Sequence, residues 1–233
     1  MTNPKIVVLT GAGVSAESGI STFRDSGGLW ENYDIMEVAS IQGWYKDKKL
    51  VLDFYNRRRR QLKTVEPNAA HYALAKLEEY FDVTIITQNV DNLHERAGSK
   101  NIIHLHGELT KAKSTAHPGF VYEIGYDDIK LGDKCEKGSQ LRPNIVWFGE
   151  PVPMMYEAGQ AAAQADIFIV VGTSLVVYPA AGLIDYVKSS SVKYIIDPVK
   201  PAVYDSMDNL VFIEKKASEG TPELVDKLIA EHK

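Results

Sequence analysis

The sequence predicts an α/β fold: a doubly wound parallel sheet with a smaller inserted lobe. Three observations point there. Short, continuous apolar runs recur along the 233 residues, as strands covered on both faces require. Helical patterns alternate with these runs, the order expected of a doubly wound sheet. Four polar clusters fall at the carboxyl ends of predicted strands, the edge at which open α/β sheets bind ligands.

The elements follow in order. Ile6-Val7-Val8-Leu9-Thr10 is the first strand, and it leads directly into Gly11-Ala12-Gly13-Val14-Ser15-Ala16. The N-terminus therefore reads as a strand rather than a signal peptide. Gly11-x-Gly13-x-x-Ala16 satisfies the relaxed dinucleotide fingerprint. In such a turn the glycines let backbone amides approach a phosphate, and the helix start adds a favourable dipole. A turn that needs glycine for backbone reasons alone has the same pattern. After Ile20 the chain runs Ser-Thr-Phe-Arg-Asp-Ser-Gly-Gly-Leu-Trp. That loop lacks the second strand and acidic residue of an ordinary dehydrogenase, and reads as a lid. Residues 31–66 are helical and rich in aromatics and Arg. A helix capped by Asn68 runs from there to Phe81, followed by the strands Val83 to Thr87 and Ile102 to Leu105. Residues 111–142 read as polar and loop-rich, with Pro118, Gly119, Gly125, Gly132 and Gly138. Strands are then predicted at Asn144 to Phe148, Ile167 to Val171, Lys193 to Ile196 and Leu210 to Ile213. Helices are predicted at Met155 to Gln164, Ala180 to Lys188 and Pro222 to Glu231. The expected division is one catalytic domain over 1–233, with a large lobe of 1–30, 67–110 and 143–233 and a small lobe of 31–66 and 111–142.

Composition narrows the function. Apolar content of 45% and charged content of 24% are those of a soluble globular protein. A net charge of -5 argues against nucleic acid or an anionic membrane as partner. No apolar run approaches the ~20 residues of a bilayer span. A single cysteine excludes an internal disulfide framework, and a cytoplasmic location is expected.

The four polar clusters are Gly11 to Arg24, Gln88-Asn89-Val90-Asp91, His104-Leu105-His106-Gly107 and Gly172-Thr173-Ser174. Each alone could be a turn or a cap; Asp91, before Asn92-Leu93-His94, fits an N-cap. Four on one edge suggest a single site. His106 precedes a glycine at a strand end. A lone histidine is commonly structural, but one at the ligand edge is a general-base candidate.

With these residues in view the sequence resembles the sirtuins, NAD-dependent protein lysine deacylases. The matching blocks are GAGVSAESGISTFR (11–24), PNAAHYAL (67–74), TQNVDNLHERAG (87–98), HLHG (104–107), LRPNIVWFGE (141–150) and VGTSLVVYPAAGL (171–183). The resemblance implies a Rossmann-like NAD lobe. It implies that Gly11, Ala12, Gly13, Glu17, Thr22, Phe23, Arg24 and Trp30 line the NAD pocket. Gln88, Asn89 and Asp91 would hold the nicotinamide ribose and carboxamide. Gly172, Thr173, Ser174, Asp197 and Ala217 would meet the adenosine half, Asp197 standing where the family commonly has Asn. Val146, Trp147, Phe148 and Gly149 would pair with an acyl-lysine peptide or protein as a strand. His106 would be the base, with Asn89 also catalytic. NAD would be a co-substrate: the acyl oxygen attacks its ribose as nicotinamide leaves, and the acyl group passes to ADP-ribose.

Two departures from the family matter. Most sirtuins hold a structural zinc with two Cys-x-x-Cys pairs, which here read Ser114-x-x-His117 and Cys135-x-x-Gly138. Zinc wants four thiolate or imidazole ligands, so no metal is expected. The second departure is in the helix predicted at Lys49 to Leu62. Its apolar stripe is Val51, Phe54, Tyr55 and Leu62, and Arg58 falls within it. Arg57, Arg59 and Arg60 are expected to face solvent. A buried arginine wants an anion, and Tyr55-x-x-Arg58 matches the sirtuins that prefer succinyl-, malonyl- or glutaryl-lysine. Gly43 is read as making room for the longer acyl group. Three alternatives stand beside this reading: a protein ADP-ribosyltransferase, a non-catalytic NAD sensor and a dehydrogenase.

Overall fold

In the computed structural model of the protein, the described residues are 3–21, 29–30, 33–200 and 207–232. Six parallel strands form the main sheet: β1 (Lys5–Thr10), β4 (Asp82–Thr87), β5 (Ile102–His104), β9 (Ile167–Val171), β10 (Val192–Ile196) and β11 (Leu210–Ile213). Their order is β11-β10-β9-β1-β4-β5. The chain winds from β1 toward β5 on one side and from β9 toward β11 on the other. The β1/β9 boundary is thus the switch point at which an α/β sheet opens a ligand crevice. In register, Thr10 lies beside both Thr87 and Val171. Gly11, Gln88 and Gly172, the next residues of three strands, therefore emerge together.

The apolar runs are continuous because both faces of the sheet are covered. Ile6 and Val8 of β1 pack with Leu74 and Leu77 of α5 (Ala69–Leu77) and with Leu224 and Leu228 of α8 (Ala217–His232). Val7 and Leu9 pack on the other face with Ala158 and Ala162 of α7 (Met155–Gln164) and with Leu183 of a 3-10 turn, Ala180–Tyr186. Asn68 caps α5 as expected, its side chain accepting from the Ala70 amide. The last helix begins earlier than expected, at Ala217, and contains Pro222.

The smaller lobe has its own core. It contains α2 (Ile35–Val38), α3 (Ile41–Lys46) and α4 (Lys48–Leu62), with a short hairpin of β2 (Leu29–Trp30) and β3 (Tyr33–Asp34). It also holds an antiparallel sheet, β7-β6-β8, of β6 (Gly107–Ser114), β7 (Val121–Glu123) and β8 (Leu141–Ile145). Trp44, Phe54, Tyr55, Ala112 and Trp147 are buried together there. Two sequence expectations are corrected by this sheet. The strand expected at Asn144 to Phe148 is Leu141–Ile145, and it pairs antiparallel with β6 rather than joining the parallel sheet. An apolar run records burial, not which core buries it. Residues 111–142, expected to be loop-rich, contain β7 and parts of β6 and β8; a bulge between Glu108 and Ala112 interrupts the period-2 pattern of β6.

The third correction is on α4. Only Asp53, Arg57 and Arg60 are exposed between Val51 and Arg60, at i, i+4 and i+7. Arg59, expected to face solvent, is 0% exposed. Its Nε donates to Leu109 O at 2.7 Å, and its Nη1 to Asn56 Oδ1 at 2.8 Å and Asp127 O at 3.2 Å. Asn56 in turn exchanges two hydrogen bonds with the backbone of Ile129. These side chains fasten α4 to β6 and to the chain around 127–129, so the helix is enclosed on a wider arc than one apolar stripe suggests. Among the described residues no helix is long and apolar enough to cross a membrane.

Candidate active site

A cavity of about 730 Å³ opens between the carboxyl edge of the parallel sheet and the smaller lobe. Its floor is backbone. The Gly13 amide donates to Gly172 O at 2.8 Å, and the Gly11 amide to Val171 O at 3.1 Å. A Cβ on Gly13 would lie 2.7 Å from the Gly172 Cα, and Gly172 sits at φ +63°. The two loops can cross this closely only as glycine. Ala12, Thr173 and Ser174 also line the floor, so a phosphate could approach main chain without side-chain obstruction. The helix after the Gly turn, α1, is one short segment, Ala12–Ala16. Glu17 lines the cavity, and its Oε2 accepts from the Ser218 amide at 3.0 Å, joining α1 to α8. Asp197 and Ala217 line the same end, with Asp197 Oδ1 accepting from the Val199 amide at 2.9 Å. Thr22, Phe23 and Arg24 lie outside the described residues, as does the side chain of Trp30.

Beneath the floor a buried polar chain orients the next cluster. Asn89 Nδ2 donates to Gly11 O and to Ser15 Oγ, both at 3.1 Å. Ser15 Oγ donates to Asp91 Oδ2 at 3.0 Å, and Asp91 Oδ1 accepts from the Leu93 amide at 3.1 Å. His71 completes the chain: its Nδ1 accepts from the Asn68 amide at 3.2 Å, and its Nε2 faces Ser15 Oγ at 3.5 Å. Burial pushes the His71 pKa down to about 4, so the ring is neutral. With both amide hydrogens of Asn89 committed to these partners, Oδ1 is the side-chain atom left to accept a further bond. Burial also raises the Asp91 carboxyl pKa, while the Leu93 and Ser15 hydrogen bonds pull it back. Gln88 Nε2 reaches Thr173 Oγ1 at 3.2 Å, tying the second cluster to the fourth. Sequence reasoning missed Ser15 and His71 as members of this network. Both lie in the quoted blocks, but nothing in their spacing from Asn89 marks the contact.

The two histidines of His104-Leu105-His106 have opposite environments. His106 Nδ1 lies 2.9 Å from Gln88 O. A carbonyl only accepts, so Nδ1 carries the proton and Nε2 presents a lone pair. Burial lowers the His106 pKa, with the Gln88 hydrogen bond acting against it. His104 Nε2 instead lies 2.5 Å from Glu95 Oε1. Burial lowers its pKa too, but the Glu95 carboxylate outweighs this and raises it. His106 lines the cavity as a neutral base.

Tyr55 and Arg58 also line the cavity. Tyr55 is 1% exposed, and its hydroxyl accepts from Trp147 Nε1 at 2.9 Å. Burial raises its pKa well above the phenol value. The Arg58 guanidinium lies 5.8 Å from the centre of the Phe54 ring. Val146, Trp147, Phe148 and Gly149 line the cavity between the lobes. The Val146 amide donates to His106 O, the Phe148 amide to Ala39 O and the Ile41 amide to Phe148 O. These bonds engage the Val146 amide and both main-chain groups of Phe148 within the protein. Gly43 does not line the cavity: a Cβ there would meet Glu37 O at 2.1 Å, so its smallness serves the close contact of α2 and α3.

The positions where a zinc site is expected by resemblance carry a poor donor set. Ser114 Oγ accepts from the Ala116 and His117 amides at 3.3 and 3.1 Å, and it also hydrogen-bonds the Cys135 thiol. Gly138 has no donor side chain. Among the described residues the metal-competent grouping of His, Cys, Asp and Glu is Glu95, His104 and Glu108, which contains neither His117 nor Cys135. Lys111 already pairs with Glu108 there at 2.8 Å.

Known proteins with similar sequences and folds bear on this site. The sequence model of the Sir2 family matches residues 11–179. An NAD-dependent protein deacylase of Bacteroides thetaiotaomicron is 54% identical over 229 residues, covering 96% of this chain and 97% of that protein. One of Helicobacter pylori (strain J99) is 53% identical over 224 residues, covering 96% and 95%. A solved Sir2 homologue in complex with NAD matches with a TM-score of 0.89 at 41% identity, over 99% of this chain and 91% of that one. A Sir2 structure with a p53 peptide and NAD+ matches at 0.82 and 33% identity, over 98% and 95%.

Proposed function

The chain belongs to the Sir2 family and is an enzyme of the NAD-dependent protein deacylase class; from that premise we propose that it prefers lysines carrying succinyl, malonyl or similar acidic acyl groups. The observation that carries this reading is that Tyr55 and Arg58, one helical turn apart on α4, both line the cavity that the glycine turn lines. An arginine fork matches a carboxylate bidentately, and a phenol can donate beside it. An acetyl group ends in a methyl, which offers neither side chain an acceptor.

In this reading NAD is a co-substrate whose ribose, on loss of nicotinamide, becomes the acyl acceptor. The glycine floor fits its pyrophosphate, because main chain is within reach and no Cβ intervenes. Asn89, held by Gly11 O and Ser15, and Asp91, held by Ser15 and Leu93, orient the ribose and carboxamide. The enclosed wall excludes water while charge develops on the sugar. His106 Nε2 then accepts a ribose hydroxyl proton, with Nδ1 anchored on Gln88 O. Val146 to Gly149 pair with the substrate peptide. The smaller lobe is read as needing no zinc: Ser114, His117, Cys135 and Gly138 offer one imidazole and one thiol where a structural site wants four ligands. The single cysteine favours the cytoplasm.

The test is a peptide panel with NAD, read by mass spectrometry. Wild type should turn over succinyl-lysine with higher kcat/KM than acetyl-lysine. Arg58→Met keeps the stem and removes the charge. Losing one partner of a buried charge pair costs at least about 2 kcal/mol, roughly a 30-fold fall in the succinyl-to-acetyl ratio of kcat/KM. An unchanged ratio would mean that Arg58 only supports the fold.

A further inference from the structure

The Tyr55 hydroxyl is not free to choose its role. An indole N–H only donates, and Trp147 Nε1 donates to the Tyr55 oxygen at 2.9 Å. The phenol must therefore send its own proton elsewhere, and Tyr55 borders the cavity beside Arg58.

The indole is itself held firmly. Trp147 is 2% exposed, with Trp44 packed at 5.4 Å between ring centres. The Arg142 guanidinium stacks on it at 3.3 Å from the ring centre. Arg142 forks onto Glu150 at 2.7 and 2.8 Å, and Glu150 Oε2 accepts the Trp147 amide at 2.9 Å. Arg142, Glu150 and the Trp147 main chain thus close a loop that fixes the plane of the ring.

We propose that Trp147 is a positioning residue for acyl selectivity: braced by Arg142 and Glu150, its indole N–H turns the Tyr55 hydroxyl proton into the acyl end of the cavity. There the phenol presents a donor next to the Arg58 guanidinium. An acceptor-only group, a carboxylate, satisfies both, whereas a neutral or donating acyl terminus does not. Without the indole N–H the phenol could rotate and offer its lone pair as readily as its proton. The proposal rests on the acidic-acyl reading of Tyr55 and Arg58.

The experiment measures kcat and KM for succinyl- and acetyl-lysine peptides in wild type, Arg58→Met, Tyr55→Phe, Trp147→Phe and the Tyr55→Phe/Trp147→Phe double variant. Trp147→Phe keeps an aromatic ring and removes the N–H. Its succinyl-to-acetyl ratio of kcat/KM should fall about three- to tenfold, the range of one hydrogen bond, through KM for the succinyl peptide. In the Tyr55→Phe background the same change should have no further effect, because the hydroxyl it orients is gone. If Trp147→Phe proves unfolded, Glu150→Gln, which loosens the brace and keeps the ring, must shift the ratio in the same direction. An unchanged ratio in Trp147→Phe, or effects that simply add in the double variant, overturns the proposal. Wild type and Arg58→Met separate the two levels: if neither discriminates succinyl from acetyl, the acidic-acyl reading has failed; if Arg58→Met loses discrimination and Trp147→Phe keeps it, only the role of Trp147 has failed.

Discussion

At the scale of single residues, His106 can act as a base because its other nitrogen is occupied. Gln88 O holds the Nδ1 proton, so Nε2 keeps the lone pair, on a residue that lines the cavity. His104, two residues earlier, is instead paired with Glu95 and favours the charged form. Burial lowers the His106 pKa from 6.5. A base works only when deprotonated, so activity should be full above pH 6.5 and fall as pH drops through the lowered value. The acid limb of kcat/KM is accordingly expected below pH 6.5, in a profile measured with a peptide whose acyl group does not titrate there. A limb above 6.5 would assign the base elsewhere. His106→Ala should depress turnover by roughly 100-fold or more while NAD binding, followed by calorimetry, persists. The pair His104-x-His106 was visible in the sequence, but the partner of each ring was not, because Gln88 and Glu95 come from different segments.

At the scale of elements, α4 carries two adjacent arginines with separate tasks. Arg58 borders the cavity, and Arg59 fastens the helix to β6 and to the chain at Asp127. Arg59→Met would leave the Leu109 and Asp127 carbonyls and Asn56 Oδ1 without that donor. Each buried group left unsatisfied costs about 1–3 kcal/mol, so urea denaturation should show a loss of at least about 2 kcal/mol. Arg57→Met, on the exposed face, should stay within about 0.5 kcal/mol of wild type. Equal stability of the two variants would show that the Arg59 hydrogen bonds do not hold the helix. The apolar stripe predicted α4 and the inward side of Arg58. It missed Arg59 because a helix enclosed by a sheet on one flank and a loop on another buries more than one stripe, and polar residues there are satisfied by carbonyls no period reveals.

At the scale of the whole molecule, two lobes with separate cores enclose one cavity. In the smaller lobe the Arg59 and Asn56 hydrogen bonds and the aromatic cluster around Trp44, Phe54, Tyr55 and Trp147 supply contacts that involve no metal ligand. Elemental analysis of purified protein is therefore expected to find no stoichiometric zinc, and a strong chelator should leave the melting temperature unchanged. One zinc per chain, with destabilisation on its removal, would mean that His117 or Cys135 recruits further ligands.

The sequence by itself determined the parallel sheet, the Gly11–Gly13 turn, the identity of the four edge clusters and the inward arginine at 58. These are local consequences: apolar runs, glycine at a tight crossing and a 3.6-residue stripe leave marks over a few neighbouring residues. Only the tertiary structure decided the rest. It assigned Ile145 and Trp147 to the smaller lobe's core, buried Arg59, moved Gly43 from the cavity to a helix contact, and brought Trp147 to the Tyr55 hydroxyl across 92 positions of chain. A hydrogen bond between distant segments depends on where folding brings two atoms within 3 Å or so, and neither partner's sequence neighbourhood carries that distance.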